Sequence, residues 1–171
     1  MKNRLECQDD IRPLGVKVLG LASFQDLTSK AQARPRLRQH LNLHTSYDEH
    51  CQRLLNAIEP DSYIRPHRHE FRSTTEVETL IVLQGSVALI TFDNDGVVEF
   101  SEVFGQEYDS KIMEIGSMIW HTVIALESGT IIFEIKQGPF VESRAKYFPS
   151  WAPEEGTTEA TRYLSELMRS V

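Results

Sequence analysis

The chain has 171 residues, 40% of them hydrophobic and 25% charged, which fits one globular domain with a real core and excludes wholesale disorder. Eighteen basic residues against 25 acidic ones leave a net charge of -7, so nothing draws the whole molecule to phosphate backbones or anionic membranes, and no nucleic-acid or membrane partner is expected. The two cysteines, Cys7 and Cys51, supply neither a disulfide framework nor paired thiolate zinc spacing. No apolar run approaches the ~18 residues of a spanning helix and the polar N-terminus lacks a signal-peptide pattern, so a reducing cytoplasm is the expected compartment.

In chain order, residues 1–13 read as irregular and 16–21 as a short strand. Ser23-Phe24-Gln25-Asp26 resembles a helix start, leading through Leu27 and Ala31 to a stop before Pro35. Arg34, Arg36 and Arg38 then cluster, either as a solvated edge or as an anion pocket. Ser46-Tyr47-Asp48-Glu49 offers a capping box, and Cys51, Leu54, Leu55 and Ile58 fall at i, i+3, i+4 and i+7. That spacing predicts a second helix ending at Pro60, with Cys51 as a core thiol on its buried face.

From Tyr63 to Gln137 the period shifts to two, in short apolar runs punctuated by turn signals at Gln84-Gly85-Ser86, Asp93-Asn94-Asp95-Gly96, Glu114-Ile115-Gly116-Ser117 and Glu127-Ser128-Gly129. Val87 to Phe92 and Val97 to Phe100 form a predicted hairpin, and about ten residues per strand indicate a sandwich or barrel. Beyond Gly138-Pro139 an irregular segment with Pro149, Trp151 and Pro153 is expected to wrap the β core. A last helix from about Thr158 would dock Leu164, Leu167, Met168 and Val171 on the domain or on a partner subunit. Within one domain this divides the chain into an N-terminal extension with short helices (1–60), a β core (61–140) and a C-terminal wrap and helix (141–171).

The chemistry is concentrated in three histidines. His67 and His69, one residue apart after Pro66, project from the same face of an extended segment. Glu78 opens one strand-like run and His121 sits in another, and three imidazoles with one carboxylate suit a first-row divalent metal; the alternative is a hydrogen-bonded histidine cluster. Zinc, iron, nickel, cobalt and manganese all tolerate these donors. Tyr63 and Arg65 share the parity of His67 and His69 and are candidates for lining the same cavity, whereas Trp120 should point away from His121. Ile132, Glu134 and Lys136 share a face, the two charges being either a pocket pair or a solvent-facing one.

The spacing resembles the first motif of the cupin superfamily, H-x-H, an acidic residue, six residues and a glycine: here His67, His69, Glu78 and Gly85, with the stretch around His121 resembling the second. The resemblance implies a double-stranded β-helix barrel, jelly-roll-like, with the four side chains pointing inward around one metal. Eight residues separate His69 from Glu78 where the motif has three or four, which implies an insertion and leaves Glu76 or Glu70 as alternative carboxylates. Blocks such as Arg34-Pro35-Arg36-Leu37-Arg38, Asn42-Leu43-His44, Gln52 to Ala57, Phe133-Glu134-Ile135-Lys136 and Trp151-Ala152-Pro153 look like the WbuC-type cupin-fold metalloproteins, which are associated with bacterial O-antigen and other surface polysaccharides. Arg36 and His44 belong to those blocks and could reach across the barrel mouth. The resemblance implies a fold and a metal site rather than a reaction; together with the polysaccharide association, an enclosed polar site with a Lewis-acid metal points to an enzyme acting on a small polar ligand such as a sugar or nucleotide-sugar, and suits isomerisation or epimerisation. An Fe(II) oxygenase and a non-catalytic metal or sugar sensor are the alternatives, and a homodimer is an expected assembly.

Overall fold

The computed structural model describes residues 15–69 and 77–171. Cys7, Glu70, Glu76 and the insertion expected after His69 therefore lie outside the described residues. Among the described residues, α1 (Leu21–Gln32) precedes eight strands, β1 (Arg38–Asn42), β2 (Cys51–Ile58), β3 (Val77–Gln84), β4 (Ser86–Phe92), β5 (Val98–Gly105), β6 (Ile112–Gly116), β7 (Trp120–Ala125) and β8 (Thr130–Gln137). A short α2 (Glu142–Ala145) and α3 (Thr158–Met168) follow. The strands form a five-stranded sheet in the order β1-β2-β8-β3-β6 and a three-stranded sheet in the order β5-β4-β7, and every pairing between strands is antiparallel.

Alternation along each strand decides which side chains face inward. Leu80 and Val82 of β3, Val87 and Leu89 of β4, Val123 and Ala125 of β7, and Ile132 of β8 meet between the sheets as one buried cluster. The opposite parity faces outward and is covered by helices. Leu27 and Ala31 of α1 lie on Leu55, Ala57 and Ile131, while Ala160, Leu164 and Leu167 of α3 lie with Tyr63 on Ile90, Phe92 and Ile124. Thr157 caps α3 by accepting from the Ala160 N–H. The expected apolar face of that helix is shorter than its sequence implies, since Met168 and Val171 are exposed.

The predicted hairpin forms between β4 and β5, and α1 ends before Pro35 as expected. Three expectations are corrected. Residues 16–21 contain no strand: residues 16–20 are irregular and α1 begins at Leu21. Cys51–Ile58 is strand β2, not a helix, and Cys51 is exposed. The helical spacing arose because β2 is covered on both sides: Leu54 and Ile58 face the barrel interior while Leu55 and Ala57 face α1, so apolar residues occupy both parities and mask the period of two. Ser46 to Glu49 caps no helix and instead builds the β1–β2 connection, where the Glu49 carboxylate accepts from the Thr45 N–H and hydroxyl and pairs with Arg53. The larger sheet thus draws β1 and β2 from residues expected to lie in the extension.

Gly85, the motif glycine, sits between β3 and β4 with φ +72, a conformation L side chains rarely adopt, and a Cβ there would come within 2.5 Å of Thr130 Oγ1. Thr130 is fully buried and its hydroxyl donates to Glu127 O, so it has little room to yield. Gly85→Ala is expected to cost about 2 kcal/mol or more, read as a lower urea midpoint; an unchanged midpoint would contradict this account of the turn.

Candidate metal centre and its cavity

His67, His69, Glu78 and His121 converge from three separate parts of the chain, all four are buried, and their ligand atoms lie within 4.8 Å of one another. The group could hold one metal ion. Local backbone pairing sets its geometry. The His67 and His121 main chains exchange N–H to O bonds of 3.0 and 2.9 Å, the Met118 N–H donates to His69 O, and Arg68 pairs both ways with Tyr147. Between the two histidines Arg68 points the other way, its guanidinium 4.4 Å over the Trp120 ring. Glu78 enters from β3, where its register partner is Lys136 of β8.

Each imidazole has its Nδ1 against a main-chain carbonyl: His67 against Arg65 O at 2.9 Å, His69 against Ala145 O at 2.6 Å, and His121 against Ile119 O at 2.9 Å. A carbonyl only accepts, so Nδ1 carries the proton and Nε2 is left as a lone pair. The Glu78 Oε2 lies 3.0 Å from His69 Nε2 and 3.4 Å from His121 Nε2. A neutral imidazole has one ring proton, yet His69 contacts an oxygen acceptor at each nitrogen. Lone pairs that face one another this closely in a buried site need a cation among them, either extra protons or a metal, and the donor set of three imidazoles and one carboxylate fits the metal.

The electrostatics run the same way. Burial drives the His67 imidazole well below its ordinary 6.5, helped by Lys146, His121 and His69, so it resists protonation. Burial would raise the Glu78 carboxyl, but Lys136 and the contacts from His121 and His69 hold it well below 4.5. Burial works against the Lys136 ammonium, yet Glu134 and Glu78, at 2.5 and 3.6 Å, keep it charged above its ordinary range.

Beside this group lies a cavity of about 610 Å³, lined by the inner faces of β1, β2, β3 and β8 and by residues 34–36, Phe140 and Lys146. His67, Glu78 and His121 line it, and His69 does not. Glu134 and Lys136 line it too, as a pocket pair rather than a solvent-facing one, with Asn56 donating to Glu134 at 2.6 Å. Arg36 and His44 are also on its wall. Tyr63 and Arg65 are not. Tyr63 packs beneath α3 and donates to Pro153 O, while Arg65 donates to Ala152 O and Pro149 O and lies over Phe148, so both fasten the C-terminal wrap. The parity argument failed there because 62–66 is not a strand and its side chains do not alternate about one sheet. Trp120 points away from the cavity, as expected, and packs against Trp151.

Sequence reasoning missed Asn56, His40 and Lys146, all of which line the cavity. Asn56 and His40 share the inward faces of β2 and β1 with Leu54 and Asn42, two residues away on each strand, a signal hidden while 51–58 read as a helix and 40 lay outside any element. Lys146 lies in the irregular wrap, where no periodicity points to it. Burial and Lys136 push its ammonium down to about 8 against the pull of Glu78 and Glu134, because the amine is ringed by protein although the side chain meets solvent along the cavity.

Two antiparallel sheets closed over an inward His/Glu group define this as a cupin-fold protein. A family model described as a domain of unknown function (DUF6016) matches residues 20–104. No curated protein matches the chain. Among solved structures, the cupin CapF with the inhibitor 3-isopropenyl-tropolone aligns at a TM-score of 0.50 and 16% identity, over 64% of this chain and 31% of its own. Oxalate decarboxylase from Bacillus subtilis at pH 4.6 aligns at 0.49 and 18%, over 65% of this chain and 27% of its own. A further structure of that decarboxylase, described by its Mn(II) centres, aligns at 0.48 and 16%. The chain spans less than a third of these proteins, and at such identities the likeness establishes the fold alone. Among the described residues, no helix is long and apolar enough to cross a membrane.

A histidine whose folded pKa lies below its unfolded value leaves stability intact above about 6.5, and stability is lost as pH falls below that value because the unfolded chain takes up the proton first. Glu78, also depressed, adds its loss only below 4.5. The urea midpoint of chelator-treated protein is therefore expected to decline only slightly between about pH 8 and 7, through Lys146, and to fall more steeply from about pH 6.5 to 5, less so in His67→Gln. A midpoint that rises with acid would contradict the assigned state of His67.

Proposed function

We propose that the chain is a metal-dependent enzyme. In this reading His67, His69, Glu78 and His121 hold one divalent transition ion, and the adjoining cavity takes a small polar ligand. The observation that carries it is the triple Nδ1 tether, which turns three buried Nε2 lone pairs toward one carboxylate at the wall of a cavity large enough for a small molecule. The WbuC-type resemblance suggests a sugar or nucleotide-sugar of bacterial surface-polysaccharide synthesis, and a Lewis-acid metal in an enclosed polar site suits isomerisation or epimerisation as the reaction type.

When bound, the metal supplies Lewis acidity to an adjacent carbonyl or hydroxyl oxygen. The protein's own groups divide the remaining work. Lys136 keeps its proton and is a hydrogen-bond donor on the cavity wall, not a base. Glu134, held by Asn56 and Lys136, is the carboxylate on that wall outside the metal group and the acceptor for a ligand hydroxyl. Ile58, Leu80 and Val123 add apolar surface to the cavity wall.

Elemental analysis of gently purified protein is expected to return about one divalent transition ion per chain, and His67→Ala and His121→Ala should each weaken its binding by about 100-fold or more. Metal-loaded protein should then convert a member of a nucleotide-sugar panel. Full metal content in both variants would remove the centre, and failure to bind or convert any sugar would remove the substrate class. Substrate-dependent oxygen uptake by the iron-loaded form would replace this reading with an oxygenase, and tight binding without turnover would replace it with a sensor.

A further inference from the structure

The cavity is basic although the chain that encloses it carries -7. Arg34, Arg36, Arg38, Lys136 and Lys146 line it against two carboxylates, Glu78 and Glu134. Those two carboxylates are already engaged by Lys136, and Arg36 and Arg38 by Glu155 at 2.9 and 2.6 Å. Lys146 is left over: its ammonium makes no hydrogen bond or ion pair with any described residue, and the same holds for the Arg34 guanidinium. Among the described residues neither Lys146 nor Arg34 has a carboxylate within ion-pair reach, and both line the cavity.

Positive charge that lines a cavity without its counterpart among the described residues calls for an acceptor-rich anion.

We infer that the cavity binds an oxyanion, the phosphate or carboxylate group of its small-molecule ligand, held chiefly by Lys146, with Arg34 as the second cation. This rests on the cavity being the ligand site of the proposed function and names the substrate class: an anionic small molecule. It does not require the metal, because both groups belong to the protein.

The test is calorimetric titration of the full chain, as purified and after chelation, with inorganic phosphate, malonate and uncharged glucose. Phosphate or malonate is expected to bind both forms, the stronger of the two identifying the anion, while glucose binds weakly or not at all. Lys146→Gln should weaken the anion by about tenfold in both forms, Arg34→Gln by about threefold, and Lys146→Arg by less than either. Lys30→Gln, on α1 and paired with Asp26 outside the cavity, should change nothing. Matching circular dichroism and thermal unfolding certify the fold of each variant, and Lys146 and Arg34 are exposed enough to be replaced without disturbing the core. The inference is overturned if neither anion binds, if Lys146→Gln binds like the parent, if Lys30→Gln weakens binding equally, or if glucose binds as well as the anions. Anion binding that survives chelation in a protein found to contain no metal supports this inference while the metal reading fails; binding that vanishes on chelation overturns it and leaves the metal reading intact.

Discussion

Three buried imidazoles turned by their own backbone toward one buried carboxylate constitute an electrostatic demand: lone pairs brought that close in a low-dielectric interior repel unless positive charge lies among them. The protein has arranged for this instead of avoiding it. Main-chain carbonyls of Arg65, Ala145 and Ile119 fix which nitrogen of each ring keeps its proton, and Lys136 lies against the far oxygen of Glu78. In our account a divalent ion answers the demand, and folding and ion binding are then linked through the same four side chains.

That constraint organises the architecture around it. The bonds between His67 and His121 and between Arg68 and Tyr147 bind the loop before β3 to both the start of β7 and the C-terminal wrap. The wrap itself is held by Arg65, by Tyr63 and by the pairing of Arg36 and Arg38 with Glu155. Displacing the wrap would carry away Ala145, the acceptor for His69, together with Lys146. The segments outside the sheets therefore complete the centre and one wall of its cavity, so the fold and the site cannot be separated at residue 140.

Much of this was legible in the sequence, for identifiable reasons. The hairpin at 86–105 declared itself through alternation and the Asp93-Asn94-Asp95-Gly96 turn, and the convergence of His67 and His69 followed from a one-residue gap in an extended segment. The position of Glu78 and His121 beside them came from motif spacing, which encodes the barrel topology that no local pattern contains. What failed did so where two environments overlap. Strand β2 is buried on both faces and imitates a helix, and residues 62–66 depart from strand geometry, so parity could not place Tyr63 or Arg65. Lys146 was invisible because an irregular segment brings it back to the cavity, a long-range consequence of the wrap.

The most direct measurement is X-ray absorption fine structure at the edge of the ion bound by the purified chain. Our account predicts about three imidazole nitrogens and one carboxylate oxygen at roughly 2.0–2.2 Å, with the outer-shell scattering of three histidine rings and one fewer ring in His121→Ala. An ion surrounded by water oxygens, or a ring count unchanged by that substitution, would contradict it.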